Sequence, residues 1–128
     1  MGTSECDPTI LIVDDQEGPR AVLTVLLCPL YRVYTAATAG AALKAIAEHP
    51  IDLVIADVGL PDYSGIELFR KMKVIRHDAK VIMMSGGGTI ESALDAMQLG
   101  AAAYLLKPFN VQEVLALVQD ALQIKLAE

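Results

Sequence analysis

The chain has 128 residues, the size of one domain, and can bury roughly two thirds of its unfolded surface. Hydrophobic residues make up 54% and charged residues 20%, which excludes a disordered chain, and no apolar run approaches the ~20 residues of a membrane span. The formal net charge of −6 argues against direct binding to nucleic acid, whose affinity rests on Lys and Arg neutralising phosphates.

Residues 1–8 read as a tail. Met1 to Asp7 lacks the basic segment and apolar core of a signal peptide, and Cys6 stands where acylation would need Ser or Thr, so a cytoplasmic location is expected. Cys6 and Cys28 have no metal-like spacing and read as two reduced thiols. Thr9 to Val13 is a first strand running straight into Asp14 and Asp15. A helix opens near Pro19, which suits a first turn because its missing N–H would be unbonded there, and carries the stripe Leu23, Leu26, Leu27 up to Pro29. Arg32 to Ala36 is a second strand. Thr38 caps a helix with Leu43, Ile46 and Ala47 on its apolar side, reaching about His49 before Pro50.

A third strand, Asp52 to Ala56, delivers Asp57 into a loop holding Gly59 and Pro61, and Ser64 with Glu67 forms a capping box for the next helix. Arg70, Lys71, Lys73, Arg76 and Lys80 read as a solvated basic face. Lys80 to Met84 is a fourth strand ending at Ser85, and Gly86 to Gly88 lead into a helix from Thr89 to Leu99 stopped by Gly100. Ala101 to Leu106 is a fifth strand ending at Lys107. Asn110 with Glu113 starts a last helix with Val114, Leu115, Val118, Ala121 and Leu122 on its core side. Short apolar runs alternating with helical patterns give an α/β fold, a doubly wound five-stranded parallel sheet in one domain.

In such a sheet ligands bind beyond the carboxyl ends of the strands, so Asp14, Asp15, Asp57, Ser85 and Lys107 should meet in one pocket. Two carboxylates 4 Å apart repel by about 4 kcal/mol at an effective dielectric of ~20. Lys107 offsets part of that, and a hard divalent cation such as Mg²⁺ would offset the rest, because an all-oxygen cluster suits it. A cation beside a carboxylate is also what phosphoryl transfer needs. Asp57, alone on its loop, is the candidate nucleophile, while the adjacent Asp14 and Asp15 suit the ion. Ser85 and Lys107 are placed to donate to phosphoryl oxygens.

Taken singly, each residue has a blander explanation. Asp14 and Asp15 equally suit a helix cap, Ser85 a turn, Tyr104 the core and Lys107 a solvated surface. Gly86-Gly87-Gly88-Thr89 lacks the Lys of a nucleotide-binding loop, and His49 and His77 stand alone.

Four motifs in order remove most of that ambiguity: Ile10-Leu11-Ile12-Val13-Asp14-Asp15, Asp57-Val58-Gly59-Leu60-Pro61 with Gly65, Val81-Ile82-Met83-Met84-Ser85, and Tyr104-Leu105-Leu106-Lys107-Pro108-Phe109. With them the chain resembles the receiver domain of two-component response regulators over about residues 9–126. The resemblance implies a flavodoxin-like (βα)5 receiver fold and a signalling domain rather than an enzyme, one that catalyses its own phosphotransfer and autodephosphorylation. It implies that Asp57 takes a phosphoryl group from a histidine kinase's phosphohistidine. Asp15, Asp57 and the backbone carbonyl of Gly59 would hold Mg²⁺ directly, with Asp14 acting through water. Lys107-Pro108 would be a cis peptide. Ser85 and Tyr104 would form a switch pair, the ring turning inward on phosphorylation and reshaping the face of the fourth helix, fifth strand and fifth helix. The partners implied are a sensor histidine kinase or phosphotransfer protein and, through that face, a second copy of the chain, with neither nucleic acid nor membrane.

This chain departs from the family pattern in three places. Gly86 and Gly87 follow Ser85 where the first position is typically Ala, which leaves a phosphorylated Asp57 more open to water. Ala103 replaces an acidic residue often found before the switch aromatic, and Gly18-Pro19 is unusual at the first helix start. No output domain follows the last helix, so a stand-alone receiver or one cut from a longer regulator is expected. Its stretch from Thr89 to Phe109 looks somewhat like receivers joined to ATPase-type transcription activators. The competing functions are a phosphorylation-independent interaction domain and a small phosphatase. The phosphatase would want an acid/base carboxylate two residues after the nucleophile, and that residue is Gly59.

Overall fold

The computed structural model describes residues 8–59, 65–76, 78–86, 95 and 97–127. The tail with Cys6, Leu60, Pro61, the Ser64 end of the expected capping box, His77, Gly87, Gly88 and most of the helix expected from Thr89 lie outside them. Among the described residues the elements run, in order, β1 (Thr9–Val13), α1 (Glu17–Leu27), β2 (Arg32–Ala36), α2 (Ala39–Glu48), β3 (Leu53–Asp57), α3 (Gly65–Ile75), β4 (Lys80–Ser85), β5 (Ala103–Leu106) and α4 (Val111–Ala127). All strand pairs are parallel, in the order β2-β1-β3-β4-β5, which is the flavodoxin-like doubly wound order. The chain leaves β1 toward β2 and returns to β3 on β1's other side, so the switch point falls between β1 and β3.

The strands read as continuous apolar runs because both faces of the sheet are covered. On β1, Leu11 and Val13 join Val54, Ala56, Val81 and Met83 beneath α2 and α3, where Ala42, Ile46, Leu68, Phe69 and Met72 close the layer. The alternate residues, Ile10, Ile12, Leu53, Ile55, Ile82 and Met84, pack beneath Leu23 and Leu27 of α1 and Val114 and Val118 of α4. A fully buried side chain such as Leu23 or Ile46 contributes about 1.5–3 kcal/mol.

Several boundaries differ from the sequence expectation. β3 begins one residue later and takes in Asp57, which pairs with Met84. β4 takes in Ser85. β5 begins at Ala103 rather than Ala101, because its pairing with β4 starts at Ile82 and Ala103. α1 opens at Glu17, with Pro19 still in its first turn. Thr38 caps α2 by accepting from the Ala41 N–H at 3.1 Å, but Ala47 is exposed, one helical step round from buried Ile46. The basic face of α3 is less solvated than expected. Lys73 Nζ donates to the Ala79 carbonyl at 2.7 Å and an Arg76 nitrogen to the Ile46 carbonyl at 3.2 Å, tying α3 to the rest of the fold. Gly100, with φ of +99°, turns the chain into β5 in a conformation that favours glycine.

Candidate functional site

The parallel ladders bring the ends of β1, β3, β4 and β5 to one level. The Asp14 N–H donates to the Ala36 carbonyl at 3.1 Å, Val58 N–H to Met84 at 2.9 Å and Lys107 N–H to Ser85 at 2.8 Å, each carrying sheet pairing past the strand. Two aspartates then turn the chain with their own side chains. Asp14 Oδ1 accepts the Gln16 N–H at 2.9 Å, and Asp57 Oδ1 accepts the Gly59 N–H at 2.8 Å, both Asx turns. Their second oxygens converge on one cation: Lys107 Nζ lies 2.7 Å from Asp14 Oδ2 and 2.6 Å from Asp57 Oδ2.

Asp14 is fully buried, Asp57 nearly so, and Asp15 is exposed at the rim. Burial is the largest single influence on Lys107 and pulls its pKa down. The hydrogen bonds and charges of Asp14 and Asp57 together outweigh it, so the ammonium is held above the ordinary lysine value. One carboxylate oxygen from each of Asp14, Asp15 and Asp57 lies within 4.8 Å of the others. Two oxygens on one Mg²⁺ lie at most ~4.2 Å apart, from its bond length of about 2.1 Å, so a small closure fits this all-oxygen set to that ion. Asp14 and Asp57 are each already engaged by a backbone N–H and by Lys107, and the fully buried Asp14 has less room than Asp57 to turn toward it.

Ser85 is nearly buried at the end of β4. Beside it, a Cβ built on exposed Gly86 would stand 3.8 Å from Lys107 Cδ, an ordinary contact. The Lys107–Pro108 peptide is cis. A cleft of about 520 Å³, lined by Gln16, Pro19, Val22, Gly86, Lys107, Pro108 and Phe109, opens next to Lys107. Tyr104 packs against the α2 and α3 side of the core, its hydroxyl buried with no hydrogen-bond partner among the described residues. An unpaired buried hydroxyl costs about 1–3 kcal/mol.

Of the five strand-end residues expected to meet, the side chains of Asp14, Asp15, Asp57 and Lys107 come together, Ser85 is joined to Lys107 through its backbone carbonyl, and Gly59 is held beside Asp57. Two contributors had no signal in the sequence. The Gln16 backbone N–H is recruited by the turn itself, and Arg20 reaches back from α1 to the Asp14 carbonyl at 2.7 Å. An arginine on the first turns of a helix reads as solvated until the helix is docked on the sheet.

A family model, "Response regulator receiver domain", matches residues 10–119. The DNA-binding transcriptional regulator NtrC of Azospirillum brasilense is 39% identical over 115 residues, which is 89% of this chain but 24% of that protein. The sporulation initiation phosphotransferase F of Bacillus subtilis (strain 168) is 36% identical over 117 residues, covering 91% of this chain and 94% of that protein. The chain thus spans about a quarter of one relative and nearly all of another. Among solved structures, a CheY-like receiver domain protein from Methanospirillum hungatei JF-1 superposes with a TM-score of 0.87 and 34% identity over 92% of this chain and 95% of that one.

Proposed function

The chain belongs to the response regulator receiver domain family, the signalling domains of two-component systems, and we propose that its Asp57 accepts a phosphoryl group from the phosphohistidine of a sensor histidine kinase or phosphotransfer protein. The observation that carries this reading is Lys107 Nζ held between Asp14 and Asp57 at the mouth of a three-carboxylate cluster. An Asp57 oxygen forms the new bond to phosphorus as the bond to the imidazole nitrogen breaks, and the electron pair leaves on that nitrogen. Lys107 Nζ, 2.6 Å from Asp57 Oδ2, then pairs with a phosphoryl oxygen, and Ser85 donates to another.

Asp15, Asp57 and the Gly59 carbonyl would hold a Mg²⁺ ion directly, with Asp14 acting through water. When bound, that ion neutralises charge on the transferring oxygens. We further propose that the receiver domain runs over residues 9–126 and that Ser85 and Tyr104 relay phosphorylation to the surface around β5, α4 and residues 89–99. The buried Tyr104 hydroxyl supports this, since among the described residues the ring has no hydrogen bond to lose on turning. The surface so changed would be read by a protein partner, a second copy of the chain among them. Among the described residues no helix is long and apolar enough to cross a membrane.

Incubation with Mg²⁺ and acetyl phosphate should add one phosphoryl group by mass spectrometry, and Asp57→Ala should abolish it. No adduct on the wild type would favour a phosphorylation-independent interaction domain. Rapid turnover of unrelated phosphate esters would favour a phosphatase.

A further inference from the structure

We propose that Arg20 is a positioning residue for the divalent-cation site, acting through the Asp14–Asp15 peptide; this rests on the metal reading above. Asp14 is gripped at every polar atom. Its N–H donates to Ala36, its Oδ1 accepts from Gln16, its Oδ2 accepts from Lys107, and its carbonyl accepts Arg20 Nη1 at 2.7 Å. The first three bonds fix the buried residue itself. The fourth fixes something else: a carbonyl shares a rigid plane with the N and Cα of the next residue, so holding the Asp14 oxygen aims Asp15.

Asp15 needs that aim more than its neighbours do. Asp14 and Asp57 each lie against Lys107 and a backbone N–H, whereas Asp15 is exposed and its carboxylate has no hydrogen bond among the described residues. Arg20 is itself anchored. Its N–H donates to Gln16 at 3.3 Å and its carbonyl accepts Thr24 Oγ1 at 2.8 Å, so the guanidinium reaches back from a fixed point in α1. A positive charge here also repels a cation, which works against binding. Arg20 is partly exposed, so its charge is screened by water, and the carbonyl it bonds partly offsets it, so the ordering of Asp15 outweighs the repulsion.

Mg²⁺ affinity of the full chain, read by isothermal titration, tests this in wild type, Arg20→Met and Arg20→Lys. Loss of a group that orients a metal ligand weakens affinity on the order of tenfold, and that is expected for Arg20→Met. Arg20→Lys keeps a donor and should recover part of it, even if the Met variant folds poorly. The adduct rate from acetyl phosphate should recover at high Mg²⁺ more than it does at low. Ile46→Val, in the core on the sheet face opposite α1, should lower thermal stability without changing Mg²⁺ affinity. Unchanged or tighter Mg²⁺ binding in both Arg20 variants would overturn the inference, as would an equal loss in Ile46→Val. A wild type that binds no Mg²⁺ would overturn the metal reading itself, and this inference with it.

Discussion

Gly86 leaves the flank of Lys107 uncovered. A methyl group there would meet the lysine stem at 3.8–3.9 Å without displacing it, so Gly86→Ala is sterically free and narrows the path of water to Asp57. The phosphorylated Gly86→Ala protein should therefore lose its phosphoryl group a few-fold more slowly than wild type, measured as adduct decay after the donor is removed. Equal decay rates would remove any role for this glycine. At this scale the sequence was legible wherever a side chain sits at a strand end: Asp14, Asp57, Ser85 and Lys107 follow directly from where apolar runs stop. It was illegible where a side chain acts on backbone. Neither the Arg20 bond to the Asp14 carbonyl nor the Arg76 bond to the Ile46 carbonyl has any pattern in residue order.

Among the elements, α2 offers the cleanest local test. Its N-terminus is capped by Thr38 Oγ1 accepting from Ala41, and its apolar side is small: Ala39, Ala42 and Ile46. Thr38→Ala should cost about 1 kcal/mol, seen as a lower urea midpoint at unchanged slope. An unaltered midpoint would mean the helix is held by its packing alone. The caps of α2 and α4 were readable because Thr38 and Asn110 act within four residues of themselves, Asn110 Oδ1 accepting from Glu113 N–H at 2.6 Å. Strand ends were less readable. β3 gained Asp57 and β5 lost Ala101 and Ala102 because a strand exists only where a neighbour pairs with it.

For the molecule as a whole, the carboxylate cluster couples folding to the ion. A ligand that binds only the folded pocket adds about 2.7 kcal/mol at a concentration 100 times its Kd, so Mg²⁺ should raise the melting temperature and a chelator should reverse the rise. Asp15→Asn should blunt it, and a melting temperature indifferent to Mg²⁺ in the wild type would count against the site. The order of apolar runs, helix stripes and caps by itself determined the α/β class, the five strands and the residues at their ends. Those signals are local and periodic, and burial on both sheet faces makes the strands conspicuous. Only the tertiary structure decided that Lys107 bridges two aspartates 93 and 50 residues away, that Arg20 reaches the Asp14 carbonyl, and that the Tyr104 hydroxyl is buried with no partner among the described residues. These depend on the register of neighbouring strands and the docking of α1, and distances between residues far apart in the chain leave no trace in residue order.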